Sequence, residues 1–379
     1  MGDTILMDRQ TIGATLEREL TADSADVSTL VDTALTEDDG FWNGSVLRTI
    51  RGMGVGQKRK VNDFDSALDT ITVDAAWDAV PAAGTAYLLD RPAAVSELFR
   101  AGSFAHEISV EQLERAVKDA SLSPFPSIPG KRSAQISFST ELRGSGAPGV
   151  APDYGILFRA CAMQETIVAG TSIAYAPESD KLDYSKICLT TFIDGLQVMY
   201  LGCMGSFSIN CPLDGVPTVD WEFEAADFEV SDAPLSSGAS YDEETPESIL
   251  MSGFSFGGFH FDVANIRFAM NNEVVLRQSA NASGGHVNAL VTGRAPSGSF
   301  DPEAVLKATD DVFADWESGA QLPLKVQIGH KAGNICTITA PKCQYTDMGF
   351  SDREGLLTYD TPFRLARDEG DDEISIVFT

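Results

Sequence analysis

The side chains that most often perform catalysis or bind metals are scattered along this sequence. No histidine lies three or four residues from another histidine or a cysteine, the spacing that places a metal-binding pair on one element; the four are His106, His260, His286 and His330. No cysteine belongs to a CxxC pair, and the apolar contexts favour buried free thiols; the six are Cys161, Cys188, Cys203, Cys211, Cys336 and Cys343. No serine occupies a GxSxG elbow, and the acidic pairs Asp38-Asp39 and Asp371-Asp372 lack the alternating ligands of a calcium loop. The sequence therefore predicts no catalytic, cofactor-binding or metal site.

One glycine-rich segment, Gly52-Met-Gly-Val-Gly-Gln-Lys58, superficially resembles a phosphate-binding loop. It lacks the spacing GxxxxGK[ST], and no predicted helix follows it. A helix N-terminus supplies the backbone N–H groups that bind phosphate, so this segment lacks the physical basis for anion binding. We interpret it as a turn between two strands.

The bulk composition limits the classes of partner. The 379 residues suggest two or three domains, and the formal net charge is −29. Such a charge repels nucleic acid and anionic membranes, and it is also typical of high solubility or of adaptation to a salty habitat. No signal peptide is predicted, and no apolar run approaches the roughly 20 residues of a membrane-spanning helix.

The first third of the chain is predicted to hold a small β domain. Residues 45–50 and 70–74 alternate between polar and apolar side chains, and turn residues separate these runs. Residues 1–24 fit either an extended arm or a short helix. Apolar residues at helical spacing and a capping box at Ser109 and Gln112 predict a helix over residues 109–120. Prolines 124, 126 and 129 then indicate a domain boundary.

Most of the remaining sequence is an internal repeat of one module, over residues 133–225 and 266–379. Each copy has a strand, a loop rich in glycine, serine and proline, a short helix, a hairpin and an amphipathic strand. The first helix is predicted over residues 153–163, and the second begins at Asp301-Pro302 and ends at Gly319. The hairpin turns are Asp194-Gly195 and residues 329–334. We predict domains over residues 1–107, 108–248 and 249–379, with residues 227–248 as an acidic linker.

The amphipathic strand of the first copy has one apolar and one acidic face. Val219, Trp221, Phe223 and Ala225 alternate with the acidic residues, which are Asp220, Glu222 and Glu224. An ordinary solvent-exposed sheet face has this pattern. A surface that must not attract a polyanion would have it too.

Three segments of the first copy resemble major tail tube proteins of long-tailed bacteriophages. They are Ser137-Phe-Ser-Thr-Glu-Leu-Arg-Gly-Ser-Gly-Ala-Pro-Gly-Val-Ala-Pro-Asp-Tyr-Gly-Ile-Leu-Phe-Arg-Ala-Cys161, residues 191–209 and residues 216–224. The second copy resembles a divergent version, with Asp301-Pro-Glu-Ala-Val-Leu306 at the start of the helix and residues 333–341 and 356–366 at the hairpin and last strand. The resemblance extends over residues 108–379.

The resemblance implies a mainly β (α+β) fold with two tail-tube-like β-sandwich or barrel modules, each with one short helix, beside the small β domain. It implies a structural virion protein without enzymatic activity or cofactor, placed in the tail and, during assembly, in the host cytoplasm. Family members form rings whose sheets join into one barrel, and the rings stack into a tube through which DNA is ejected.

The resemblance also implies the partners. Because the family usually has six modules per ring, two fused modules would suit a trimer with pseudo-sixfold symmetry. Other tail proteins, such as the tape measure and the terminator, would bind the tube, whereas DNA would pass unbound and no membrane would be involved. Asp220, Glu222 and Glu224 would line the lumen, and residues 227–248 and 278–285 would contact neighbouring rings.

Three alternatives remain at this stage. A tail terminator, neck or decoration protein would also consist of ring-forming β modules. A hydrolase using scattered carboxylates would need a deep pocket with titratable groups of perturbed pKa. A carbohydrate-binding β protein would need exposed aromatic side chains clustered on one face.

Overall fold

The computed structural model describes residues 9–117, 119, 121, 123–235, 239, 241–250 and 253–379. Antiparallel strands dominate these residues, and they contain two α-helices, which confirms the predicted mainly β class. Neither helix of these ranges has the length and apolar composition needed to cross a membrane. The arm residues Ile5 and Leu6 lie outside the described residues.

From residue 9 to residue 99, the described residues form nine strands and one 3₁₀ turn, Val95–Glu97. The strands are β1 Gln10–Leu16, β2 Arg18–Thr21, β3 Ser24–Asp26, β4 Thr29–Val31, β5 Val46–Arg51, β6 Lys58–Asp65, β7 Thr70–Val73, β8 Ala86–Asp90 and β9 Leu98–Phe99. Seven of them form one sheet in the order β2-β8-β5-β6-β7-β4-β3, packed around Trp42, Phe64 and Tyr87. The predicted small β domain is confirmed, and the glycine-rich segment is a turn between β5 and β6 as predicted.

The first described segment of the N-terminal arm, residues 10–16, belongs to the body of the protein, whereas residues 18–21 join the sheet of the small domain. Strand β1 pairs along its whole length with a strand of the first module, from Gln10 opposite Ile193 to Leu16 opposite Ile187. The alternation of Ile12 and Ala14, both buried, explains why this segment is a strand and not a helix.

The first module follows the predicted order of elements. These are β10 Gly102–Leu113, β11 Ile128–Glu141, α1 Gly155–Ala160, β12 Met163–Val168, β13 Ser172–Pro177, β14 Ile187–Ile193, β15 Leu196–Pro212, β16 Thr218–Ala225 and β17 Asp227–Asp232. The short helix falls within the predicted residues 153–163. Ile193 lies opposite Leu196, so Asp194-Gly195 is the predicted two-residue hairpin turn. The prediction of a linker over all of residues 227–248 is wrong for its first part. Residues 227–232 form strand β17, which pairs with Leu196–Leu201. Residues 236–238 of that linker lie outside the described residues.

The helix predicted over residues 109–120 is wrong for the first part of that range. Ser109 and Val110 belong to β10 and lie opposite Ser133 and Arg132 of β11. The apolar residues of β10 also alternate, which favours a strand over the helix that their spacing predicts. Pairing with the long strand β11 then satisfies the backbone N–H and C=O groups. Prolines 124 and 126 lie in the connection of this hairpin and Pro129 lies in β11, so the proline segment turns the chain within a hairpin. Lys118 and Ala120 lie outside the described residues.

The second module repeats this plan. Its elements are β18 Ser255–Phe256, β19 Val263–Ala269, β20 Asn272–Gln278, β21 His286–Arg294, β22 Ser297–Pro302, α2 Val312–Ser318, β23 Leu322–Ile328, β24 Cys336–Tyr345, β25 Gly349–Arg353, β26 Leu356–Ala366 and β27 Ser375–Phe378. The hairpin turn at residues 329–334 is confirmed. The second copy opens with two strands, β19 and β20, where the sequence predicted one, because Asn271 has a positive φ of 48° between them.

The predicted start of the second helix is wrong. Asp301 and Pro302 end strand β22, where the Asp301 carboxylate accepts hydrogen bonds from the backbone N–H groups of Ala264 and Asn265. The helix begins ten residues later, capped by Asp311, whose Oδ1 accepts from the Ala314 N–H at 3.1 Å. Gly319 ends the helix in the left-handed conformation, as predicted.

The two modules correspond strand by strand. The first has the sheet order β10-β11-β16-β15, and the second has β19-β22-β26-β24, with β25 continuing β24 along the edge of β26. Three pairs of residues at equivalent register mark the correspondence: Phe223 and Phe363, Cys203 and Cys343, and Arg132 and Arg294. Both arginines bind acidic residues that come soon after equivalent strands, Asp227 after β16 and Asp371 and Glu373 after β26.

One hydrophobic core is shared by both modules. Strand β15 of the first module pairs with β19 of the second, and β13 pairs with the C-terminal strand β27. In the first module Phe158 of α1 packs against Trp221 and Phe207, with ring centroids 4.9 and 5.0 Å apart. The helix therefore covers the apolar face of the sheet and leaves its opposite face open. Strand β10 crosses the boundary expected at residue 107, and the division into three domains stays a prediction.

A buried ion cluster lies where the small β domain contacts the body of the protein. Arg48 of β5 lies with its Nη2 atom 2.6 Å from Glu17 Oε2 and 2.7 Å from Asp90 Oδ2. Its Nη1 atom donates to the Val287 carbonyl at 2.9 Å. One guanidinium neutralises only one of the two carboxylates, and burial together with the nearby Asp90 raises the pKa of Glu17 to about 7.

This cluster predicts a specific pH dependence of stability. A raised pKa means that the folded protein binds a proton that the unfolded chain releases, so this contribution is full below about pH 4.5 and is lost as the pH rises through about 7. Across that window we expect a loss on the order of 1–3 kcal/mol. The variant Glu17→Gln should lack this component, which denaturant unfolding of both proteins between pH 4.5 and 8 would measure. Parallel curves for the two proteins would contradict the assignment.

Candidate functional site

The most distinctive surface is the face of the main sheet opposite the core, which we call the open face. One row crosses eight strands of this face at matched register: Gly102, Ser139, Asp220, Ser208, Ala269, Ser297, Arg364 and Gln344. Paired residues of antiparallel strands point to the same side, so the two modules present one continuous face. The side chains of this row are mostly small and polar.

The three acidic candidates lie together on the open face, as the strand alternation predicts. Asp220 and Glu222 are exposed and Glu224 is half-buried, whereas Trp221 and Phe223 between them are fully buried. Hydroxyl groups flank the carboxylates, since Glu222 lies between Ser137 and Ser206. The amide of Gln135 also donates to Glu222 Oε1 at 2.7 Å.

The electrostatic environment of these carboxyl groups follows from their crowding. Partial burial raises the pKa of Asp220, and the Arg267 guanidinium opposes that shift. Partial burial also raises the pKa of Glu224, to which the like charges of Glu222 and Glu107 contribute. The acidic sector therefore extends from β16 onto β10, and its charges are close enough to interact.

The second module's part of the open face is not acidic in the same way. Its equivalent strand β26 places Asp360, Pro362 and Arg364 at the positions of the three acidic candidates, and Arg267 of β19 lies on the same face. The face thus has an acidic sector and a mixed sector. Our reading of the sequence missed this contrast, although Arg267 stands between the apolar residues Ile266 and Phe268 in the pattern of a half-buried strand.

Two edges of this sheet lack a paired strand among the described residues, and the sequence reasoning missed both. One is the outer edge of β10, and the other is the outer edge of β25. Between the modules the corresponding edges are joined, since Ile209 of β15 lies opposite Phe268 of β19. The exposure of the side chains differs accordingly between the joined edge and the unpaired edge. Ile209 is 0% exposed, whereas Phe350, which takes its place in β25, is 67% exposed.

The residues with potential catalytic chemistry have structural contacts. His106 lies with Nδ1 2.7 Å from the Tyr200 hydroxyl, and burial lowers its pKa. His286 and His260 contact the backbone carbonyls of Arg132 and Phe254. All six cysteines are buried and free, and burial raises the pKa of Cys211 and Cys343 to about 12, which makes them poor nucleophiles at neutral pH. Within the described residues no three histidine, cysteine or acidic side chains form a group that could hold a metal ion.

Comparison with known proteins agrees with this architecture. The family model of phage tail tube proteins matches residues 67–365, which is more than half of the chain. The match covers the end of the small β domain, the first module and the second module as far as residue 365. A search of curated protein sequences gives no match. On the extent of the family match, the chain is a member of the phage tail tube protein family, a structural component of the virion tail.

Proposed function

We propose that three copies of this chain close into a ring and that the rings stack into the tube through which phage DNA leaves the virion. The observation that supports this most directly is the joint between the two modules. There β15 of one module and β19 of the next form a continuous sheet, with Ser208–Pro212 paired to Asn265–Ala269. Each chain thus contains one complete example of the contact that a ring requires.

The open edges correspond to the two halves of that joint. The outer edge of β10 is equivalent to the edge of β19 that pairs with β15, and the outer edge of β25 is equivalent to the edge of β15. Repeating the joint between chains places Phe350 of one subunit opposite His106 of the next. Phe104 and His106, which stack on each other with centroids 5.8 Å apart, would be covered by this contact.

Closure also removes a hazard. An open sheet edge presents unpaired N–H and C=O groups to other chains, and a closed barrel has no edge. With eight strands from each subunit, a ring of three contributes 24 strands, counted from the eight-strand row of the open face. Because the helices and the shared core lie on the other side of the sheet, the open face would form the lumen.

Such a lumen would let DNA pass without binding it. Each subunit would contribute the acidic sector around Asp220, Glu222 and Glu224, which repels phosphate, and the mixed sector with Arg267 and Arg364. The serine side chains between the charges are neutral, so they offer a phosphate no cation to pair with. The surfaces of neighbouring rings and of other tail proteins, including the tape measure and the terminator, would meet the ends of this barrel.

Electron microscopy of the purified protein tests the proposal. We expect rings with threefold symmetry and a mass three times that of the chain, and tubes made of such rings. Rings of six chains, or a protein that stays monomeric at high concentration, would overturn it. A protein that forms single rings but never tubes would instead support a terminator or neck role.

Neutralising the acidic sector tests the proposed role of the lumen. The variant Asp220→Asn/Glu222→Gln/Glu224→Gln should assemble normally, and its tubes should retain several-fold more duplex DNA at low ionic strength, because phosphate is no longer repelled. Binding of a short fluorescent duplex to assembled tubes measures this. The control Asp63→Asn/Asp183→Asn/Glu317→Gln changes the net charge equally at exposed sites elsewhere. Equal retention by both variants would place the acidic face outside the lumen.

A further inference from the structure

The hairpin β20–β21 of the second module lies across the first module. Its apolar residues Val274, Ala289 and Val291 pack over Met204, at the bend of β15, and over Ala162, just beyond α1. Asn272 at the base of the hairpin fixes it there, since its Nδ2 atom donates to the carbonyls of Cys161 at 2.8 Å and Gly205 at 3.0 Å. The hairpin thus reinforces the joint between β15 and β19 from the side.

The first module has an equivalent hairpin in the outer halves of β10 and β11. In it Val110 lies opposite Arg132, and in the second module Asn272 lies opposite Arg294. Both hairpins have a register irregularity just beyond this pair, after which Gln112 lies opposite Pro129 and Val274 opposite Val291. Position by position, the outer part of β10–β11 is the counterpart of β20–β21.

Among the described residues, this counterpart has only a partial seat in its own chain. The Arg132 N–H of β11 donates to the Gly284 carbonyl, whereas the β10 side stays uncovered. Every residue from Glu107 to Leu113 is exposed, on both sides of the strand. Ile108 is 43% exposed, whereas Met270 at the equivalent position of β19 is 1% exposed. A strand exposed on both faces buries little apolar surface to offset the entropy of ordering it, so a partner is needed.

The second module offers a surface equivalent to the seat of β20–β21. The register that equates Phe223 with Phe363 equates Met204 with Gln344, and Ala162, which follows α1, corresponds to Ala320, which follows α2. Both Ala320 and Gln344 are only half-buried. The residue types of the hairpin and of its seat change together, from apolar to polar. The apolar contact of Val274 with Met204 becomes a contact between two amides, Gln112 and Gln344.

We propose that the outer half of the β10–β11 hairpin docks on the second module of the neighbouring subunit, with Gln112 over Gln344 and Ala320. The partner is a second copy of this chain. The contact rests on the proposed ring and extends it, because it adds a lateral clasp beside the joint of β10 with β25. The clasp would cover the exposed sides of the hairpin only when subunits meet.

A cysteine pair tests the clasp. The double variant Gln112→Cys/Gln344→Cys is assembled, oxidised and run on a non-reducing gel. We expect disulfide-linked dimers and trimers that disappear on reduction. The control Gln112→Cys/Leu68→Cys pairs the hairpin with a similarly exposed site on the small β domain and should stay monomeric on the gel. In the unaltered protein, hydrogen exchange at residues 107–113 and 128–133 should slow at least tenfold on assembly.

Electron microscopy of the same samples separates failure of the clasp from failure of the ring. Rings or tubes without specific cross-linking, and with unchanged hydrogen exchange in the hairpin, would overturn the clasp and leave the ring intact. Absence of rings in the unaltered protein would overturn both. Cross-linking in the control to the same extent would also count against the clasp.

Discussion

The variant Phe350→Asp is expected to remain a folded monomer and to form neither rings nor tubes. Phe350 is 67% exposed in the single chain, and its ring lies near those of Phe313 and Tyr359, with centroids 6.0 and 5.8 Å away. In the proposed joint the same side chain takes the place of Ile209, which is fully buried between β15 and β19.

The size of the effect follows from the number of joints. Burying a phenylalanine contributes about 2 kcal/mol, and burying an unpaired carboxylate in its place costs several kcal/mol more. Each ring contains the altered joint three times, so we expect the concentration needed for assembly to rise at least about 100-fold, since each 1.4 kcal/mol is a factor of ten. Sedimentation and electron microscopy over a concentration series measure this shift.

The control variant is Leu68→Asp, because Leu68 is 65% exposed on the small β domain, away from both open edges. It should assemble like the unaltered protein, and both variants should keep nearly the same melting temperature. Normal assembly of Phe350→Asp would show that β25 does not form the joint. Unfolding of that variant would show that Phe350 stabilises the monomer itself.

Replacing Arg48 with methionine is expected to cost about 3–5 kcal/mol of folding stability, since it leaves two carboxyl groups buried without their cation. Arg48, Glu17 and Asp90 are each almost fully buried, and all three side chains meet where the small domain joins the body. Denaturant unfolding near pH 7 measures the loss.

The matched control lies on the same strand. Arg51 of β5 pairs with Glu19, but both side chains are largely exposed, so Arg51→Met should cost under about 1 kcal/mol. Adding Glu17→Gln to Arg48→Met should recover part of the loss, because one buried charge is removed. Equal effects of Arg48→Met and Arg51→Met would mean that the cluster contributes no more than a surface ion pair.

Local sequence patterns predicted much of this fold. The hairpin at Asp194-Gly195, the acidic face of β16 and the helix end at Gly319 follow from turn chemistry, strand alternation and glycine's freedom at positive φ. These features depend on residues close together in the chain. The mainly β class and the small N-terminal domain followed from the same kind of signal.

The errors arose where distant contacts decide the structure. Ser109 and Gln112 form a capping box in sequence, yet their segment pairs with β11 and is a strand. Asp301-Pro302 has the composition of a helix start, but the carboxylate instead binds two N–H groups of residues 264 and 265. The open edges were invisible for the same reason, because an edge exists only once the order of strands is known.

The two modules that meet at the joint between β15 and β19 belong to one covalent chain, and this has a consequence for the kinetics of ring formation. In the proposed ring of three chains, three of the six contacts between modules would form within single chains, before any two subunits meet. A ring of six separate modules would need five encounters between bodies, whereas a ring of three fused chains would need two, so its formation would depend less steeply on protein concentration. The fused chain would therefore start a ring when few copies are present, and each chain would add two adjacent wall segments in a fixed order.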